Sequence, residues 1–224
     1  MPLLPSVIRQ AVRTHQATVI FLHGLGDSGE GWAPVGDQLR QHLPNVKFIF
    51  PHAPEQPVTL NMGLKMPSWY DIISLGDFSR QDEAGLLQSA SQVKELIQQE
   101  IDSGIPPEKI VVGGFSQGCV VSLLTGLTYR EKLAGVLGLS GYLPIHDKFF
   151  SLTTDANKNT PIFFGHGDSD EVVNPRFSQM SIQLLKDQGY NVEHRIYEGM
   201  GHSCCNQEII DMAIFLNKVL GFEE

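Results

Sequence analysis

The sequence predicts an α/β fold, a mostly parallel central sheet with helices on both faces. Short β-rich runs alternate along the chain with longer segments of helical periodicity, the pattern of repeated strand–helix crossovers. Several of those runs are apolar at nearly every position, as expected of strands covered on both sides.

In chain order, strands are expected at 18–22 (TVIFL), 46–50 (VKFIF), 110–113 (IVVG), 135–139 (GVLGL), 162–165 (IFFG) and 192–197 (VEHRIY). Between 82 and 103, Leu86, Ala90, Val93, Ile97 and Ile101 recur every three or four residues and define one helical face, which Gly104 and Pro106-Pro107 bring to a stop. Residues 119–127 read as a helix directly after the strand IVVG. The last helix is expected to start near Asn206 as N-cap, to run through Ile209, Met212, Ala213, Leu216 and Leu220, and to end at Gly221. The rhythm breaks between 51 and 80. Four prolines stand there with Leu60, Met62, Leu64, Met66 and Trp69, and no helical pattern. A connection this long is expected to be a lid or binding loop, and its apolar content argues against disorder. The same residues would also serve as a patch over the core, or as cover for a weak homodimer interface.

At 224 residues the chain is expected to form one domain, 1–224. A chain of that size buries about 70–75% of its unfolded surface, so it needs no disulfide or metal staple. Net charge is −9, with 16 Lys and Arg against 25 Asp and Glu, and no basic run. That excludes nucleic acid as an expected partner and simple electrostatic docking on anionic lipid. The cysteines, Cys119, Cys204 and Cys205, form no disulfide framework. Neither a signal peptide, a membrane span nor a lipidation box is expected, which reads as a soluble protein of a reducing compartment, the cytoplasm and, in a eukaryote, the nucleus.

Gly114-Phe115-Ser116-Gln117-Gly118 carries the strongest chemical signal. It is G-x-S-x-G between an apolar strand and a helix, the context of a nucleophile elbow in the α/β-hydrolase fold. Glycines at both ends leave room for a strained turn that lifts the Ser116 hydroxyl above the sheet, at a helix N-terminus that favours a developing oxyanion. Taken alone, the pattern also fits a Gly-rich turn with an idle serine.

A serine needs a base, and the order in this fold is Ser, carboxylate, His. Of eight histidines, His202 follows the last strand in Tyr197-Glu198-Gly199-Met200-Gly201-His202 and stands in the right place. His166 and His194, in or beside strands, read as structural; His15, His42, His52 and His146 read as loop or surface residues. The run 164–173 offers Asp168, Asp170 and Glu171. The pattern H-G-x-x-D-x-x-V selects Asp170, with Asp168 expected to brace the turn through its own backbone. The oxyanion donors are expected to be the amides of Gln117, after the nucleophile, and of Leu25 in His23-Gly24-Leu25-Gly26-Asp27. No cofactor or metal is expected.

Phe21–Asp27, Pro67-Ser68-Trp69-Tyr70-Asp71, Gly113–Gly118, His166–Asp170 and Tyr197–Ser203 together resemble the acyl-protein thioesterases, the lysophospholipase/carboxylesterase family. The resemblance implies removal of palmitoyl groups from S-acylated proteins, with side activity on lysophospholipids and small acyl esters. It implies the triad Ser116, Asp170 and His202 with donors Leu25 and Gln117, and an acyl groove lined by the apolar loop, with Leu60, Met62, Leu64, Met66 and Trp69 as substrate contacts. The family often has Gly where Cys119 stands, and Cys119 is expected to face the core as a small hydrophobe. Some members carry an acylated N-terminal cysteine; Met1-Pro2 has none nearby, so transient membrane contact is expected rather than stable anchoring. A general carboxylesterase for short esters shares every catalytic residue and differs only in the groove. A silent ligand receptor on the same scaffold is the alternative from another class.

Overall fold

The computed structural model describes residues 3–76 and 80–222. Residues 77–79, inside the 51–80 loop expected above, lie outside the described part. The elements run β1 (Ser6–Arg9), β2 (Ala17–Leu22), α1 (Gly29–His42), β3 (Val46–Pro51), β4 (Glu55–Val58), β5 (Leu64–Pro67), α2 (Glu83–Asp102), β6 (Ile110–Phe115), α3 (Gln117–Leu127), β7 (Gly135–Leu139), α4 (His146–Leu152), β8 (Ile162–Gly167), α5 (Pro175–Asp187), β9 (Val192–Tyr197) and α6 (Asn206–Leu220).

Among the described residues, the main sheet has the order β1-β3-β2-β6-β7-β8-β9. Only β1 runs antiparallel, against β3; every other pairing is parallel. Parallel strands place their C-terminal ends on one rim, which is where the loops after β2, β6, β8 and β9 gather. Side chains along each strand alternate between two apolar layers. Ile20, Leu22, Ile110, Val112 and Phe164 face α2, α3 and α5 on one side. Val19, Phe21, Val111, Leu137 and Phe163 face α1 and α6 on the other. Because both faces are covered, the inner strands carry no polar alternation, and every residue of β2, β7 and β8 is buried.

Element ends follow local chemistry. Asp82 caps α2 by accepting from the Gly85 N–H at 3.0 Å. Gly221 closes α6 in the left-handed region, with φ 69°. The start of α6 differs by one residue from the expectation: Cys205 occupies the cap position and Asn206 is the first helical residue. Helix α3 is buried along its whole length, directly beneath the loop that carries Ser116.

Candidate active site

Ser116 lies at the junction of β6 and α3 with φ 54° and ψ −117°. A residue with a Cβ adopts positive φ at a cost of about 1–3 kcal/mol. The glycines make the turn sterically feasible. A Cβ at Gly118 would stand 2.2 Å from the Leu22 carbonyl oxygen, and one at Gly114 2.4 Å from the Gly118 carbonyl carbon. The Ser116 N–H donates to the Leu139 carbonyl at 2.8 Å, which pins the elbow to β7.

Ser116 Oγ is 3.0 Å from His202 Nε2, and His202 Nδ1 is 2.7 Å from Asp170 Oδ2. The Asp170 side chain is fully buried, and its Oδ1 accepts from the Val172 and Val173 amides at 2.8 and 2.9 Å. A carboxylate only accepts, so Nδ1 carries the imidazole proton and the Nε2 lone pair faces the hydroxyl. The back of the His202 ring packs on Phe115 at 4.7 Å, and Phe115 packs on Trp32 at 5.2 Å.

The loops after β8 and β9 are stapled together, and this is what brings Asp170 to His202. The Asp168 and Ser169 amides donate to the Tyr197 and Met200 carbonyls, each at 3.1 Å. Asp168 Oδ1 accepts from the Gly199 N–H at 2.7 Å. The same oxygen accepts from the Ser169 hydroxyl at 2.9 Å, so Asp168 braces its own turn, as expected, and the neighbouring loop as well. Gly199 takes φ 68° to present that N–H.

His166, read as structural from its place in a strand, sits beside the same carboxylate. Its Nε2 is 3.1 Å from Asp170 Oδ2 and 2.9 Å from the Val173 carbonyl, so the ring donates there. Burial lowers its pKa, against the opposing pull of that carbonyl and of Asp170. Its position four residues before Asp170 was the available signal.

The loop 23–26 lies against the nucleophile. A Cβ at Gly24 would stand 3.4 Å from Ser116 Cβ and 3.2 Å from the Phe115 ring. The Leu25 N–H makes no main-chain hydrogen bond among the described residues. Gln117 opens α3, where an amide has no carbonyl one turn back and the helix presents its positive end. The elements thus bring both expected donor residues next to Ser116.

The 51–80 segment holds a hairpin of β4 and β5 around a short 3-10 turn at Thr59–Asn61. Asp71 ties the turn down by accepting from the Thr59 N–H and hydroxyl at 2.7 and 2.6 Å. Leu60, Met62 and Leu64 project with 44%, 88% and 58% exposure. Met66 is half-buried beside Gly26, its sulfur 3.8 Å from where a Cβ there would stand. Trp69 departs from the expectation of a substrate contact. It is 1% exposed, because its ring packs on His23 at 5.2 Å and its indole N–H donates to the His23 carbonyl at 2.9 Å. Cys119 faces the core, its sulfur filling space left by Gly138 and Gly141. Among the described residues no cluster of His, Cys, Asp or Glu suits a metal, and no helix is long and apolar enough to cross a membrane.

A hydroxyl, an imidazole and a carboxylate in this relay can form and hydrolyse an acyl-enzyme. Comparison with known proteins agrees. The model of the phospholipase/carboxylesterase family matches residues 5–220. Acyl-protein thioesterase 1 of Neurospora crassa is 50% identical, over 96% of this chain and 92% of that protein. Acyl-protein thioesterase 1 of Yarrowia lipolytica is 47% identical, over 97% and 98%. The crystal structure of Zea mays acyl-protein thioesterase 2 superimposes with a TM-score of 0.87 at 30% identity, covering 97% of this chain and 99% of that one.

Proposed function

Since the chain belongs to the phospholipase/carboxylesterase family of α/β-hydrolases, we propose that it is a serine hydrolase that cleaves acyl thioesters of S-acylated proteins. The relay from Ser116 through His202 to Asp170, at 3.0 and 2.7 Å, carries this reading.

His202 takes the Ser116 proton as Oγ attacks the acyl carbonyl. The tetrahedral oxyanion faces the Leu25 and Gln117 amides. Losing one such donor typically slows turnover about 100- to 1000-fold. Collapse breaks the C–S bond and expels the cysteine thiolate; with an oxygen ester, His202 returns the proton to the alcohol. A water then gives its proton to His202 as it attacks the acyl-enzyme, which releases the fatty acid and restores the Ser116 hydroxyl. Asp170 holds His202 in one tautomer throughout and balances the imidazolium charge.

The exposed apolar hairpin supports a long acyl chain over a short one. Each methylene that leaves water on Leu60, Met62 or Leu64 contributes about 0.8 kcal/mol. The test is kcat/KM for acyl thioesters of increasing length, with Ser116→Ala as control. We expect a rise of more than tenfold between four and twelve carbons. A steady fall beyond four carbons would instead mark a short-chain carboxylesterase.

A further inference from the structure

Three successive peptide units around Leu25 are each held at one atom. The His23 carbonyl accepts from the Trp69 indole Nε1–H at 2.9 Å. The Gly24 carbonyl accepts from His23 Nδ1 at 2.7 Å, a tautomer set by the Ala53 N–H, which donates to His23 Nε2 at 3.0 Å. The Gly26 N–H donates to the Pro67 carbonyl at 2.8 Å. In a planar trans peptide the C=O and the following N–H point opposite ways. Anchoring the Gly24 carbonyl therefore aims the Leu25 N–H away from the imidazole, and the flanking bonds stop that peptide from turning.

The other donor residue is held by the same short stretch of chain. Gln117 Oε1 accepts from the Trp69 N–H at 2.8 Å. Its Nε2 donates to Ser68 Oγ at 2.9 Å and to the Tyr70 carbonyl at 2.6 Å. Ser68, Trp69 and Tyr70 are all buried, and the Ser89 hydroxyl closes on the Trp69 carbonyl. The main chain of Trp69 thus binds one donor residue while its indole binds the loop of the other.

We propose that Trp69 is a positioning residue that fixes the Leu25 and Gln117 amides relative to each other, and so sets the geometry of the oxyanion hole without touching substrate. The proposal rests on the serine-hydrolase reading above. Trp69→Phe removes the indole donor and keeps an aromatic ring in place. An acyl trifluoromethyl ketone forms a tetrahedral adduct with a serine oxygen and needs the oxyanion donors; a fatty alcohol of equal length binds without an oxyanion.

For Trp69→Phe we expect kcat to fall about 10- to 100-fold, with KM within threefold of wild type. Trifluoromethyl ketone affinity should fall in step with kcat, and fatty alcohol affinity should stay unchanged. If the variant does not accumulate as folded protein, Gln117→Met, which keeps the donor N–H, replaces it with the same expected signature. Equal loss of both inhibitors would make Trp69 a substrate contact and overturn the proposal, as would full retention of ketone affinity. Wild-type protein that ignores both the ketone and a fluorophosphonate would overturn the hydrolase reading itself, a result distinguishable from failure of the positioning role alone.

Discussion

Asp170 accepts from two amides and two imidazoles, and those four bonds hold a fully buried side chain in place. Glu208, on the first turn of α6, is the contrasting case. It too is fully buried, but neither oxygen has an N–H or O–H donor among the described residues. Burial pushes its carboxyl up to about 7, the Cys204 thiol pulls it down, and the Asp211 charge adds to the rise. The ordinary value is 4.5, so the folded state binds this proton more tightly than the unfolded chain does. The stability it confers is complete below pH 4.5 and is lost as pH rises through about 7. The loss amounts to about 3 kcal/mol. Glu208→Gln should remove this dependence, so its melting temperature relative to wild type should climb between pH 5 and pH 8. A difference independent of pH would show that Glu208 is not protonated in the folded protein.

Among the elements, the β4–β5 hairpin is the one whose residues divide most sharply. Its base is bound tightly: the Ser68 N–H donates to the Pro54 carbonyl at 3.0 Å, and Gln56 Nε2 to the Ser68 carbonyl at 2.6 Å. Its tip carries apolar side chains into solvent, with Met62 in the left-handed region at φ 55°. Substitutions at such exposed sites usually change stability by no more than about 0.5 kcal/mol. The triple variant Leu60→Ser, Met62→Ser, Leu64→Ser should therefore melt close to wild type. It should lose at least tenfold of the preference for twelve-carbon over four-carbon thioesters, measured as a ratio of kcat/KM. An unchanged ratio would remove the hairpin from acyl recognition.

For the molecule as a whole, the inner strands of the sheet were legible because they are covered on both faces and read as near-continuous apolar runs, whereas the edge strand β9 is polar and part-exposed along its middle. β7 and β9 match the expected 135–139 and 192–197. β1 escaped notice as a half-exposed antiparallel edge with only four residues. So did the hairpin, whose prolines Pro57 and Pro67 are tolerated because each of its strands has a single partner. Ser116, Asp170 and His202 could be placed because each follows a strand at the same rim in a fixed order. The bond of Trp69 to the His23 carbonyl could not, since only the folded chain brings those two residues near; His166 stands four residues from Asp170, but that spacing alone does not say which way its ring turns. A buried imidazole or indole reads in sequence as core.

Hydrolysis here depends on one nucleophile made reactive by two partners drawn from separate loops. Its most direct test is to label the folded protein with a fluorophosphonate and map the adduct by mass spectrometry. The expected result is a single adduct on Ser116, absent in Ser116→Ala and formed at least 100-fold more slowly in His202→Gln. Folded protein that takes no label, or takes it on another residue at full rate in Ser116→Ala, would contradict it.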